Sequence, residues 1–134
     1  MSEGADSPTL IFLVDDDPIL GRFVRKSLQL DGFEVREFLR GEEFLEALRT
    51  ETPDLVLLDL RMPSLSGEVI LERLRAEPPA SPIRILLYSS SDAEHLERLC
   101  EEHGADGYLA KTTPAEELSQ AITAVLAKPP KFGA

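Results

Sequence analysis

Two short apolar runs, each closed by aspartate, constrain this chain more than any other feature. LIFLV at 10–14 leads into Asp15, Asp16, Asp17 and Pro18, and LVLL at 55–58 leads into Asp59. Runs of this length that are apolar at every position read as strands buried on both faces, the mark of a parallel sheet covered by helices on either side. The acidic residues then fall just past the strands' carboxyl ends, where open α/β sheets bind ligands. Carboxylates gathered in one crevice repel one another and resist ionising together, unless a divalent cation that prefers oxygen ligands neutralises them. The pattern predicts a Mg²⁺ site beside an acidic side chain.

The rest of the chain supplies the covering helices. Strand-like runs at 9–14, 33–38, 54–60, 83–89 and 107–111 each precede a segment with helical spacing. Five βα units imply an α/β fold with a doubly wound, five-stranded parallel sheet. Asp17 and Pro18 read as the N-cap and first residue of the first helix, with Leu20, Phe23, Val24 and Leu28 on its apolar face and Gly32 just past its end. Phe44, Leu45 and Leu48 carry the second helix, and Val69, Ile70 and Leu74 carry the third, which Pro78 and Pro79 end. Ser91 to Glu94 and Thr113 to Glu116 have the form of capping boxes that open the fourth and fifth helices. Residues 1–8 read as a flexible leader, 9–127 as one domain, and 128–134 as a tail or the start of a linker.

Composition narrows the partners. With 134 residues, 43% of them hydrophobic, the chain suits a single core. Its net charge of -11, with no run of Lys or Arg, repels phosphate backbones and anionic lipid, so no direct nucleic-acid or membrane contact is expected. The single Cys100 excludes an internal disulfide, and no apolar run approaches the roughly 18 residues of a spanning helix. The opening MSEGADSP lacks the basic start and apolar centre of a signal peptide. A cytoplasmic protein is expected.

Four of the five predicted strands end in residues suited to phosphate chemistry: Asp15 with Asp16, Asp59, Ser89 and Lys111. A parallel sheet gathers these ends on one edge. Phosphoryl transfer to a carboxylate needs a nucleophilic oxygen, a metal to neutralise charge, and donors for the phosphoryl oxygens, and each role has a candidate. Singly the residues say less. Aspartates after a strand often only cap a helix, Ser89 to Ser91 read equally as a polar capping turn, strand-end lysines are ordinary, and Tyr108 fits a packed edge-strand aromatic. His95 and His103 have no partner His or Cys that would argue for zinc, and Cys100 falls on the apolar face of the fourth helix.

Taken together, VDDDP, LLDLRMPSLSG, a hydroxyl residue closing the fourth strand, and GYLAK resemble the receiver domain of two-component response regulators, over Thr9 to Ala127. The resemblance implies a flavodoxin-like (βα)5 fold with strand order 2-1-3-4-5. It implies Asp59 as the acceptor of phosphate from a histidine kinase or a histidine phosphotransfer protein. It also implies Asp16 as a direct Mg²⁺ ligand, Asp15 acting mainly through water, and the backbone carbonyl of Arg61 as a further ligand. Lys111 would pair with Asp59 and then with a phosphate oxygen. Ser89 would turn its hydroxyl to the phosphate, and Tyr108 would follow by rotating inward. That movement reshapes the face of the fourth helix, fifth strand and fifth helix, which meets a downstream protein effector or an attached output domain and often forms a homodimer.

Two positions depart from the family pattern. Thr112 stands where receivers commonly carry a proline after a cis peptide, and a cis bond before threonine would cost roughly 2.5 to 4 kcal/mol, so a trans peptide or an altered loop is expected. Ser90 replaces a very small residue. Arg61 and Ser91 occupy the two variable positions that, in the family, tune phosphoryl lifetime. An idle pseudo-receiver, a pure interaction module independent of phosphorylation, is the alternative reading. A haloacid-dehalogenase-type phosphohydrolase matches the Asp15 and Asp17 spacing, but only Glu116 and Glu117 follow Lys111, inside a helix. The expected role is a signalling phosphoacceptor, not an enzyme turning over an external substrate.

Overall fold

The computed structural model describes residues 8–132 apart from Ser64, so nearly all of the predicted leader and the last two residues lie outside the described part. The elements run β1 (Leu10–Val14), α1 (Pro18–Leu30), β2 (Glu34–Phe38), α2 (Gly41–Ala47), β3 (Leu55–Leu58), α3 (Gly67–Ala76), β4 (Arg84–Ser89), α4 (Ala93–His103), β5 (Gly107–Ala110) and α5 (Ala115–Leu126). All strand pairs are parallel, in the order β2-β1-β3-β4-β5. This is the doubly wound parallel sheet expected from the five βα units, in the flavodoxin-like strand order that the resemblance implied.

Strand alternation sorts the core into two layers. Phe12, Val14, Val56, Leu58, Ile85 and Leu87 face Phe44, Ile70, Leu71, Leu96 and Leu99 of α2, α3 and α4. Ile11, Leu13, Leu55, Leu57, Leu86 and Tyr88 face Val24, Leu28, Leu118 and Ile122 of α1 and α5. Burial on both faces explains why β1 and β3 are apolar throughout.

The helix ends correct the sequence reading in places. Asp17 caps α1 as predicted, accepting from the Ile19 and Leu20 amides at 3.0 and 3.1 Å. Gly32 adopts φ +95°, the conformation that ends a helix and that a side chain disfavours. The buried stripe of α1 is Gly21, Val24 and Leu28, which leaves Phe23 on the outer side with Ile19, 60% and 83% exposed. Phe23 is therefore not a core residue. The cap of α4 is Asp92, accepting from the His95 amide at 2.9 Å, rather than Ser91. Pro114 precedes α5 and no side chain caps it, so Thr113 does not act as a cap.

Past α5 the chain folds back on the domain. Arg84 clamps the Lys128 carbonyl through Nε at 2.9 Å and Nη2 at 2.6 Å, and the Lys131 amide donates to Asp106 Oδ1 at 2.7 Å. Asp106 Oδ2 meanwhile accepts from the Ile85 amide at 2.8 Å. Phe132 is 2% exposed and packs in the α3/α4 layer, a burial that contributes about 2 kcal/mol. Residues 128–132, read from sequence as a tail or linker start, lie packed against the domain.

Candidate functional site

The carboxyl edge of the sheet gathers four charged side chains. Asp15 and Asp59 each sit one residue beyond a strand, and their amides still hold the sheet: Asp15 donates to the Phe38 carbonyl at 3.0 Å and Asp59 to the Val14 carbonyl at 2.9 Å. This backbone anchoring aims both carboxylates over the edge while keeping them 2% exposed. Each is braced by the turn that follows. The Asp17 amide donates to Asp15 Oδ1 and the Arg61 amide to Asp59 Oδ1, both at 3.0 Å.

Lys111 joins the two. Its amide is fixed on the Ser89 carbonyl at 3.1 Å, one residue past β5, and its ammonium donates to Asp15 Oδ2 at 2.8 Å and Asp59 Oδ2 at 3.1 Å. Asp16 is exposed and completes the acidic group, with carboxylate oxygens of Asp15, Asp16 and Asp59 all within 4.8 Å of one another. The structure thus brings these four sequence-predicted residues together on one sheet edge.

Burial pushes the Asp59 carboxyl above its ordinary value, against the lowering effects of the Arg61 amide and Lys111. Burial alone would depress Lys111, but its hydrogen bonds to Asp15 and Asp59 and the attraction of their charges together outweigh that and raise it. The geometry is that of a charged ammonium shared by two carboxylates. One ammonium cannot balance three carboxylates, and two negative charges remain at a site whose donors are all oxygen. Such a donor set fits Mg²⁺, a hard cation that takes one or two carboxylates and keeps several waters.

The remaining predicted residues are placed less directly. Ser89 is fully buried, and its Oγ accepts from the Ser91 amide at 3.2 Å and lies 3.3 Å from Ser91 Oγ. The Arg61 side chain is exposed. Tyr108 is partly buried against the α4 layer. No described peptide is cis, so of the two alternatives for Lys111 to Thr112 the peptide is trans.

Two residues of the site were given no role in the sequence reading, although Gly67 closes the LLDLRMPSLSG motif. Gly67 opens α3 with its amide on the Leu60 carbonyl at 3.1 Å, and a Cβ there would sit 2.8 Å from the Asp59 carbonyl oxygen. Only glycine lets α3 close this tightly on the Asp59 turn. Tyr88, 1% exposed, presents its ring to Lys111, with Nζ 5.7 Å from the ring centroid. The signal for Tyr88 was its place in an otherwise aliphatic strand; that for Gly67 was a glycine eight residues after Asp59.

Comparison with known proteins agrees with this geometry. The response regulator receiver domain profile matches residues 11–123. The chain is 35% identical over 119 residues to the response regulator MprA of Mycolicibacterium vanbaalenii, covering 89% of this chain and 51% of that protein. It is 36% identical over 117 residues to the nitrate/nitrite response regulator protein NarL of Escherichia coli, covering 86% and 53%. The chain thus spans about half the length of the curated relatives it matches. Among solved structures, the response regulator DrrB of Thermotoga maritima superposes with a TM-score of 0.78 at 28% identity, covering 93% of this chain and 55% of that one. The chemotaxis response regulator CheY4 of Vibrio cholerae has the same fold, with a TM-score of 0.81 at 24% identity over 89% and 99%. With Asp15, Asp16, Asp59 and Lys111 converging on one sheet edge and the profile matched across the sheet, the chain belongs to the receiver domain family of two-component response regulators.

Proposed function

We propose that Asp59 accepts a phosphoryl group from a histidine kinase or histidine phosphotransfer protein, and that this switches a protein-binding face. The observation that carries the reading is the Lys111 ammonium shared between Asp15 and Asp59, 2.8 and 3.1 Å away. In the transfer, Asp59 Oδ forms the new bond to phosphorus, the phosphorus–nitrogen bond to the donor imidazole breaks, and its electron pair stays on the imidazole. Asp15, Asp16, Asp59 and the Arg61 carbonyl would hold Mg²⁺, which when bound supplies charge neutralisation at the transferred phosphoryl group.

The chain's own groups do the rest. Lys111 already touches the acceptor, so it can follow the new charge with a small movement and pair with a phosphoryl oxygen. Ser89 exchanges its contacts with Ser91 for the phosphate, and Tyr108 moves with it, reshaping the α4–β5–α5 face toward a downstream effector, an attached output domain or a second copy. Arg61, exposed beside the acceptor, and Ser91, bonded to Ser89, set the phosphoryl lifetime. The module acts as a cytoplasmic signalling switch and not on an external substrate.

A protein donor has a landing surface at hand. Ile19 and Phe23 stand 83% and 60% exposed on the outer side of α1, directly after the Asp15–Asp17 turn. Large apolar side chains kept in water beside a reactive edge suit a transient protein contact.

The test is incubation with Mg²⁺ and acetyl phosphate, followed by intact mass, for the wild type and Asp59→Asn. A phosphoryl adduct on the wild type alone is the expected result. No adduct with either acetyl phosphate or a phosphohistidine protein would favour a pseudo-receiver that binds partners without phosphorylation.

A further inference from the structure

Lys111 has three N–H donors and two carboxylate acceptors. It also lines a cavity of about 70 Å³ together with Leu20, Phe23, Tyr88, Thr113 and Leu118, a largely apolar surround with no carboxylate among its residues. The aromatic face within range is Tyr88, whose ring centroid is 5.7 Å from Nζ, inside the span over which a ring attracts a cation.

We infer that Tyr88 is a positioning residue for Lys111: its ring takes up the third side of the ammonium and holds it over the sheet edge, where it reaches Asp59 and then the phosphoryl group. The inference rests on the phosphoacceptor reading of Asp59. Three features of the fold support it. Tyr88 is 1% exposed and packed among Ile11, Leu13, Leu57 and Leu118, so the ring is rigid. It precedes Ser89 on β4 and so faces the α1/α5 layer, while Ser89 faces the opposite way. Lys111 follows Leu109 on β5 by two residues and so emerges on the Tyr88 side.

The arrangement divides the work at the edge. Asp15 and Asp59 hold the ammonium at the acceptor, and the ring faces it beside the apolar cavity. During phosphoryl acceptance Lys111 exchanges a carboxylate oxygen for a phosphoryl oxygen. A buried ring attracts the ammonium at both stages without competing for either oxygen, because it offers a π-face and no charge.

Three variants test this: Tyr88→Phe keeps the ring, Tyr88→Leu removes it, and Tyr88→Leu in a Lys111→Ala background removes what it acts on. The adduct rate with acetyl phosphate and Mg²⁺ is expected to fall about fivefold in Tyr88→Leu and to recover to within about twofold in Tyr88→Phe. In the Lys111→Ala background, Tyr88→Leu is expected to change nothing. Tyr88→Phe as slow as Tyr88→Leu, or an equal loss from Tyr88→Leu with and without Lys111, would overturn the inference, because a purely packing role acts in both backgrounds. A second readout needs no phosphorylation: the Lys111 ε-methylene protons should be shifted upfield by the ring in the wild type and Tyr88→Phe, and not in Tyr88→Leu. An unshifted wild type sinks the contact itself. A shifted wild type that forms no adduct sinks the phosphoacceptor reading and leaves the contact standing.

Discussion

The Lys111 ammonium lies 3.1 Å from Asp59 Oδ2, so the residue that would receive the phosphoryl group is already held by the group that would meet its new charge. The same ammonium serves Asp15, and Asp59 remains a buried carboxylate whose desolvation outweighs its partners. A raised carboxyl pKa means the folded state binds the proton more readily than the unfolded one. Its contribution to stability is full below the ordinary carboxyl pKa and is lost as pH rises through the folded value.

Asp59→Asn therefore removes a charge that costs stability at neutral pH, while Lys111 keeps Asp15. Without divalent cation the variant should be more stable than the wild type, because the buried charge is gone. Thermal unfolding at pH 7 in chelator checks this, and the gap should narrow on adding Mg²⁺. A less stable Asp59→Asn would contradict the burial argument.

Ile19→Ala separates donor docking from chemistry. Ile19 is 83% exposed and does not line the Lys111 cavity, so its loss should leave the adduct rate with acetyl phosphate within about twofold and slow transfer from a phosphohistidine protein about tenfold, the size of one well-placed contact at a protein interface. Parallel rate measurements with the two donors decide it.

The returning C-terminal segment should be part of the cooperative fold. Phe132 is 2% exposed, and truncating a buried phenylalanine costs about 3 kcal/mol, so Phe132→Ala should lower the urea midpoint with little change in slope. Arg84→Ala should cost less, about 1 to 2 kcal/mol, by freeing the Lys128 carbonyl and losing the contact to it.

Cys100 reports on the same layer. Burial pushes its thiol up to about 11. At pH 8 only about one thiol in a thousand would then be thiolate, against roughly a tenth for an unperturbed cysteine, so reaction with a thiol reagent should be slow and accelerate on unfolding. Because the raised value favours the protonated folded state, the contribution is full below about 9 and lost between about 9 and about 11 as pH rises. Phe132→Ala should speed the reaction, since both residues pack in the α3/α4 layer.

What the amino-acid sequence determined was the set of elements and which edge they act from. Apolar runs at 10–14 and 55–58 become strands buried on both faces, and the aspartates that close them fall past the strand ends because a charged side chain cannot continue a doubly covered strand. Asp17 and Pro18 start α1 through bonds within one turn. Only the tertiary structure decided what depends on the spacing between elements. Phe23 fits an apolar helical pattern, yet the roll of α1 onto the sheet puts Gly21, Val24 and Leu28 inside and Phe23 in water. The caps of α4 and α5 likewise follow where each loop leaves the sheet rather than the local Ser or Thr pattern. Phe132 is buried because the chain past α5 meets Arg84 and Asp106, residues more than 20 positions away. Tyr88 faces Lys111 for the same reason: β4 and β5 are neighbours only once the sheet is ordered, and contacts between strands carry no signature in either strand's own residues.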